Sequence, residues 1–150
     1  SLEVLDLRNN QIGDAGMFEF SCQIPIGSMG KLIYLYLAGN KIGDEGIVAF
    51  SAAISRGSLG GLIRLFLSAN RIGDAGMIEF SRSIASGSLR ALTYLILSDN
   101  QIGDAGMTEL SRAIASGSLS ACKMILVEDE NPGNAAPLKA ACKECGVACM

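Results

Sequence analysis

Leu2, Leu32, Leu62, Leu92 and Cys122 are spaced by thirty, and the residues that follow them repeat almost unchanged. A period of this size constrains a chain more than its composition does. Such a unit cannot bury its own apolar face and must stack on its neighbours. The units open with LEVLDLRNN, LIYLYLAGN, LIRLFLSAN and LTYLILSDN. They continue with QIGDAGM, KIGDEGI, RIGDAGM and QIGDAGM, then EFSCQIPIGSM, AFSAAISRGSL, EFSRSIASGSL and ELSRAIASGSL. Residues 2–31, 32–61, 62–91 and 92–121 therefore read as four repeats within a single domain, 1–150, and 122–150 as a divergent fifth.

Within one unit the spacing specifies the local structure. The second and third leucines of L-x-x-L-x-L are two apart, so they share one face of a short strand. Asn10, Asn40, Asn70 and Asn100 follow, where the chain must turn. An Asn side chain both donates and accepts, so stacked copies can satisfy backbone groups inside a buried turn. Ile12, Ile42, Ile72 and Ile102 point back to the core, and Asp14, Asp44, Asp74 and Asp104 stand where helix N-caps are expected. Met77, Phe80 and Ile84 recur at helical spacing, and Gly57, Gly87 and Gly117 mark helix ends. Pro25 is expected to shorten or bend the first helix. Strand, turn and helix in every unit make an α/β solenoid.

The pattern L-x-x-L-x-L-x-x-N-x-I-G-D-x-G, four times over and each time followed by a helical segment, resembles the leucine-rich repeats of the ribonuclease-inhibitor-like class. That resemblance implies a short horseshoe arc with parallel strands on the concave face and helices on the convex one. Strands pack ~4.8 Å apart and helices ~8–10 Å apart, which favours the same curvature. Ribonuclease inhibitors, Ran GTPase-activating proteins, tropomodulin tails and innate-immune sensor arrays share the repeat. The resemblance thus implies a protein-interaction module, with a GTPase-activating regulator of the Ran-directed kind as the alternative.

In the last unit the strand core becomes Cys122, Ile125 and Val127, Glu130 takes the Asn position with Asn131 one place late, and Ile-Gly-Asp is gone. Glu128, Asp129, Glu130, Lys139, Lys143 and Glu144 make it polar, as a C-terminal capping repeat should be. At the other end Leu2 is already a core position. An uncapped strand edge is expected there, which fits a longer leucine-rich-repeat protein or self-association through that edge.

Composition narrows the chemistry. Twelve Lys plus Arg against fifteen Asp plus Glu give a net charge of −3, unsuited to nucleic acid or an anionic membrane surface. The chain has no His, which removes the usual general base and the commonest zinc ligand. No enzyme activity, cofactor or metal is therefore expected. Gly27-Ser28-Met29-Gly30-Lys31 lacks the Walker A spacing and reads as a helix-to-strand connection. Cys142, Cys145 and Cys149, with Cys122, could offer thiolates, but Leu138, Ala141, Cys142 and Cys145 fall on one helical face and read as core. The repeated Asp residues lack calcium-loop spacing. Neither a secretory leader, a membrane-length apolar run nor an Asn-x-Ser/Thr site is present, and the five cysteines are an odd set, so a cytoplasmic location is expected.

The candidate binding site is on the strands. Side chains flanking the core leucines face the concave surface, in columns Val4, Tyr34, Arg64, Tyr94, Met124 and Asp6, Tyr36, Phe66, Ile96, Leu126. A solvated sheet face would carry polar residues. This one gathers Tyr34, Tyr36, Arg64, Phe66, Tyr94 and Ile96, the residue types that dominate protein interfaces. A protein or peptide partner is expected there. The regular Glu19, Glu79 and Glu109, with Arg82 and Arg112, read as a solvated helical surface.

Overall fold

The computed structural model describes residues 2–24, 29–128 and 130–150. Pro25, the Gly27-Ser28 part of the first glycine-containing connection, and Asp129 of the acidic run lie outside the described residues. Strands and helices alternate: β1 (Val4–Asp6), α1 (Asp14–Gln23), β2 (Tyr34–Tyr36), α2 (Asp44–Ser55), β3 (Arg64–Phe66), α3 (Asp74–Ala85), β4 (Tyr94–Ile96), α4 (Asp104–Ala115), β5 (Met124–Leu126), α5 (Ala136–Glu144) and β6 (Ala148–Cys149). The six strands among the described residues form one parallel sheet in chain order. Pairing from β1 to β5 keeps a register of thirty, Leu5 to Leu35 to Leu65 to Leu95 to Ile125. The result is a leucine-rich-repeat arc with the sheet on its concave side and the helices on its convex side.

Between the two layers runs one core. Leu35, Leu65, Leu95 and Ile125 reach it from the strands, Ile42, Ile72 and Ile102 from the turns, and Phe50, Phe80 and Leu110 from the helices, all fully buried. A buried side chain of this size contributes about 1.5–3 kcal/mol. Gly57, Gly87 and Gly117 end the middle helices as expected, each just past the cap at a φ of 80–81°, the left-handed turn glycine adopts without strain.

The Asn residues form the expected ladder. Asn70 is buried; its Nδ2 donates to the Leu67 and Leu37 carbonyls at 3.1 and 3.0 Å, and its Oδ1 accepts from Ile42 N–H at 3.1 Å. Asn40 and Asn100 repeat the pattern. Asn10, on the first unit, is exposed; its side chain donates locally to the Arg8 carbonyl, and its N–H donates to Asn40 Oδ1.

The aspartates correct the sequence reading. The N-cap of each of α1 to α4 is the glycine before the Asp, and none of these Asp residues caps its own helix. Asp14 Oδ1 instead accepts from Gly43 and Gly46 N–H of the following repeat, at 2.7 and 2.9 Å. Asp44 does the same for Gly73 and Gly76, and Asp74 for Gly103 and Gly106. Asp104 ends the relay on Asn134 N–H. The second glycine of I-G-D-x-G follows from this contact, since a Cβ on Gly76 would stand 2.7 Å from Asp44 Oδ1.

The last unit departs further than its sequence suggests. Asn131 performs the ladder role from one place later, donating to Leu97 and Val127 carbonyls and accepting from Ile102 N–H. Glu130 takes a φ of 58° before it, as Ala69 and Asp99 do before Asn70 and Asn100. Cys145 is not a core residue: α5 ends at Glu144, so Cys145 turns out to the surface and its Sγ reaches only the Ile114 carbonyl. After Gly146, at φ 74°, the chain adds the unanticipated strand β6 beside β5.

Candidate functional site

Short strands with a buried central leucine push the residues on either side outward. Strand register then lines Tyr34, Arg64 and Tyr94 in one row and Tyr36, Phe66 and Ile96 in the next. All six expected residues come together on the concave surface, half-buried by one another and open on the outer side. The guanidinium of Arg64 lies between two rings, its Cζ 5.0 Å from the centre of Tyr34 and 5.1 Å from that of Tyr94. Attraction between a cation and a ring face holds all three in place. In the second row the Tyr36 and Phe66 centroids are 4.8 Å apart with planes tilted by 40°.

Two residues outside the expected set join this surface. Arg8 Cζ sits 5.1 Å over the Tyr36 ring, and Asp6 holds Arg8 through a two-pronged pair closing to 2.6 Å. Hydrogen bonds from Arg8 hold the Asp6 carboxyl below its usual pKa. Their signal was in the sequence, since Asp6 precedes Tyr36 in its column and Arg8 is two residues further along the chain. Arg64 differs from Arg8: among the described residues no carboxylate pairs with it. Tyr rings flank its planar guanidinium, an arrangement suited to a carboxylate set among apolar groups.

The cysteines cluster at the other end without forming a comparable site. Cys122 and Cys142 are buried in the core, and among the described residues no group of three metal-ligating side chains is assembled. The interaction between Cys142 and Cys149 lowers the Cys149 pKa and raises that of Cys142; Lys139 also lowers that of Cys149. Lys139 is paired with Glu128. None of the described helices is long and apolar enough to cross a membrane.

Stacked strand-turn-helix units joined by a buried Asn ladder are those of a leucine-rich repeat protein. A leucine-rich repeat family model matches residues 1–21, 31–51 and 88–111. Among solved structures the chain is similar to one described as Leiomodin-1 Actin-Binding Site 2, with a TM-score of 0.76 at 15% identity, over 96% of this chain and 78% of that one. At that identity the likeness concerns the fold alone. No curated protein matches the sequence.

Proposed function

We propose that this chain is a non-enzymatic module that binds a protein or peptide on its concave face, through Tyr34, Tyr36, Arg64, Phe66, Tyr94 and Ile96. The observation that carries this is Arg64, flanked by Tyr34 and Tyr94 and, among the described residues, paired with no carboxylate. Side chains ordered before a partner arrives lose less freedom on binding, and Tyr and Arg are the residues that anchor interfaces. The likeness to the leiomodin structure, described as an actin-binding site, supports a protein as the kind of partner. Residues 2–31, 32–61, 62–91 and 92–121 act as four repeats of one domain and 122–150 as its closing unit, which the thirty-residue strand register supports. A reducing compartment such as the cytoplasm suits its five free cysteines.

The test is a pull-down with the wild-type chain and a Tyr34→Ala, Tyr36→Ala, Tyr94→Ala variant verified as folded by circular dichroism. A partner retained only by the wild type supports the assignment, at about 1 kcal/mol or more per tyrosine. Equal retention by both sinks it. The GTPase-activator alternative gains no residue from this geometry; unchanged hydrolysis across a panel of small GTPases would dispose of it.

A second reading concerns the β1 edge, where Leu2 and Val4 are exposed. Gly13 and Gly16 stand in the positions that receive an aspartate in later repeats, yet no described carboxylate reaches them. A further repeat of the same kind, from a longer array or a second copy, would complete those contacts. Light scattering separates the sources: a mass that rises with concentration assigns the edge to a second copy.

A further inference from the structure

The outer helical face of the first two repeats breaks the pattern kept by the next two. Glu79 pairs with Arg82 on α3, and Glu109 with Arg112 on α4, as a solvated helix surface favours. The corresponding positions of α2 are Ala49 and Ala52, next to Val48 where α4 has Thr108. On α1 the matching residues are Phe18, Glu19 and Cys22. Phe18 is 55% exposed and Val48 41%. With Ala49, Ala52 and Ala75 they line an open groove of about 430 Å³ across α1, α2 and the start of α3.

Its amino-terminal end is acidic, whereas at the other end Arg56, just past α2, donates to the Ser21 carbonyl of α1. Asp14 and Glu19 on α1, and Asp44 and Glu45 on α2, are the only charged residues within those helices. Glu45 stands where the other repeats carry Ala15, Ala75 and Ala105. So the stretch without those Glu–Arg pairs has an apolar floor and Glu45, which forms no ion pair among the described residues. A scattered surface apolar residue is ordinary, but a contiguous patch with several carboxylates along one end marks an interaction site. Small residues at its floor allow a helix to approach closely.

We propose that this groove docks a cationic amphipathic helix from a partner protein, with its apolar side chains on Phe18, Val48 and Ala52 and its Lys or Arg over Glu19 and Glu45. Anionic lipid is repelled by the same carboxylates. A second copy of this chain, with its net charge of −3, lacks the complementary sign. The site is on the opposite layer from the concave strip and does not depend on it.

The probe is a labelled synthetic Leu/Lys helix with leucines at i, i+3, i+4 and i+7 spacing, followed by fluorescence anisotropy on the full chain. The comparison variant is Val48→Thr, Ala49→Glu, Ala52→Arg, which gives α2 the outward residues that α4 already accommodates on the same backbone. Saturable binding by the wild type, weakened about tenfold or more in this variant and unchanged in the three-tyrosine variant, supports the site. Equal binding to both chains, no saturable binding, or equally tight binding of a Leu/Glu peptide would overturn it. A wild-type mass that rises with concentration, and does so no longer in the α2 variant, would give the groove to a second copy and overturn the partner assignment.

Discussion

Replacing Asp74 with Ala tests the relay that joins successive repeats. The Asp74 carboxylate accepts from Gly103 N–H at 2.8 Å and Gly106 N–H at 2.7 Å, both at the start of α4. Hydrogen bonds to a charged acceptor contribute about 1.5–3 kcal/mol each when fully sheltered, but removal of a helix cap typically costs about 1 kcal/mol and at most about 2 because water takes its place. The groups here are partly buried, and two bonds go at once, so the expected loss is roughly 2–3 kcal/mol. For a chain of 150 residues that lowers the melting temperature by roughly 4–12 °C. Asp74→Asn keeps an accepting oxygen and should cost about half as much. Urea unfolding followed by circular dichroism gives the magnitude, and amide hydrogen exchange gives the place. Faster exchange belongs at Gly106 and Met107 of α4, with α3 unchanged. Loosening at the start of α3, the helix that contains Asp74, or a loss below about 0.5 kcal/mol, would refute the inter-repeat assignment.

Other perturbations probe different contacts. Gly76→Ala, favourable in most helices by about 0.5–1 kcal/mol, should destabilise here, because the added methyl meets Asp44 Oδ1 and Cα; a stabilised variant in thermal melts would contradict the close packing. Asn70→Ala strands the Ile42 N–H in a buried turn, while the Leu37 and Leu67 carbonyls keep their bonds from Asn40 and Asn100, so denaturation should show a loss of about 1–3 kcal/mol, and a loss under about 0.5 kcal/mol would mean the ladder contributes little. Ala69 holds a φ of 52°, so Ala69→Gly should stabilise by about 1 kcal/mol, and no rise in urea midpoint would count against that strain. The folded-state pKa of Cys149 is lowered by Cys142 and Lys139, so its thiolate forms at lower pH than an ordinary thiol's. Alkylation followed by peptide mass mapping should therefore show a rate midpoint below the normal thiol value, rising in Cys142→Ala; the same midpoint in both chains would refute the pairing.

The period made the strands, the Asn turns and the glycine stops legible, because each depends on residues a few positions apart. The role of the aspartates was not, since a residue thirty positions before a helix has the same place in its own repeat as the local cap and spacing cannot separate the two. Strand β6 fell outside the period, and only Gly146 marked the turn that leads to it. The concave strip could be read from the alternation around Leu35, Leu65 and Leu95, whereas the rings that enclose Arg64 required distances between strands. The acidic groove on α1 and α2 was present in the letters as Val48, Ala49 and Ala52 against Thr108, Glu109 and Arg112, but the regular Glu–Arg spacing drew attention to the positions that conform.

Because every relay carboxylate belongs to the repeat before the helix it serves, the interaction has a direction along the chain. A growing polypeptide leaves the ribosome amino end first, so Asp44 is in place before Gly73 and Gly76 emerge, and Asp74 before Gly103 and Gly106. Each new helix therefore meets a waiting acceptor, and the arc is suited to assembly in the order of its synthesis.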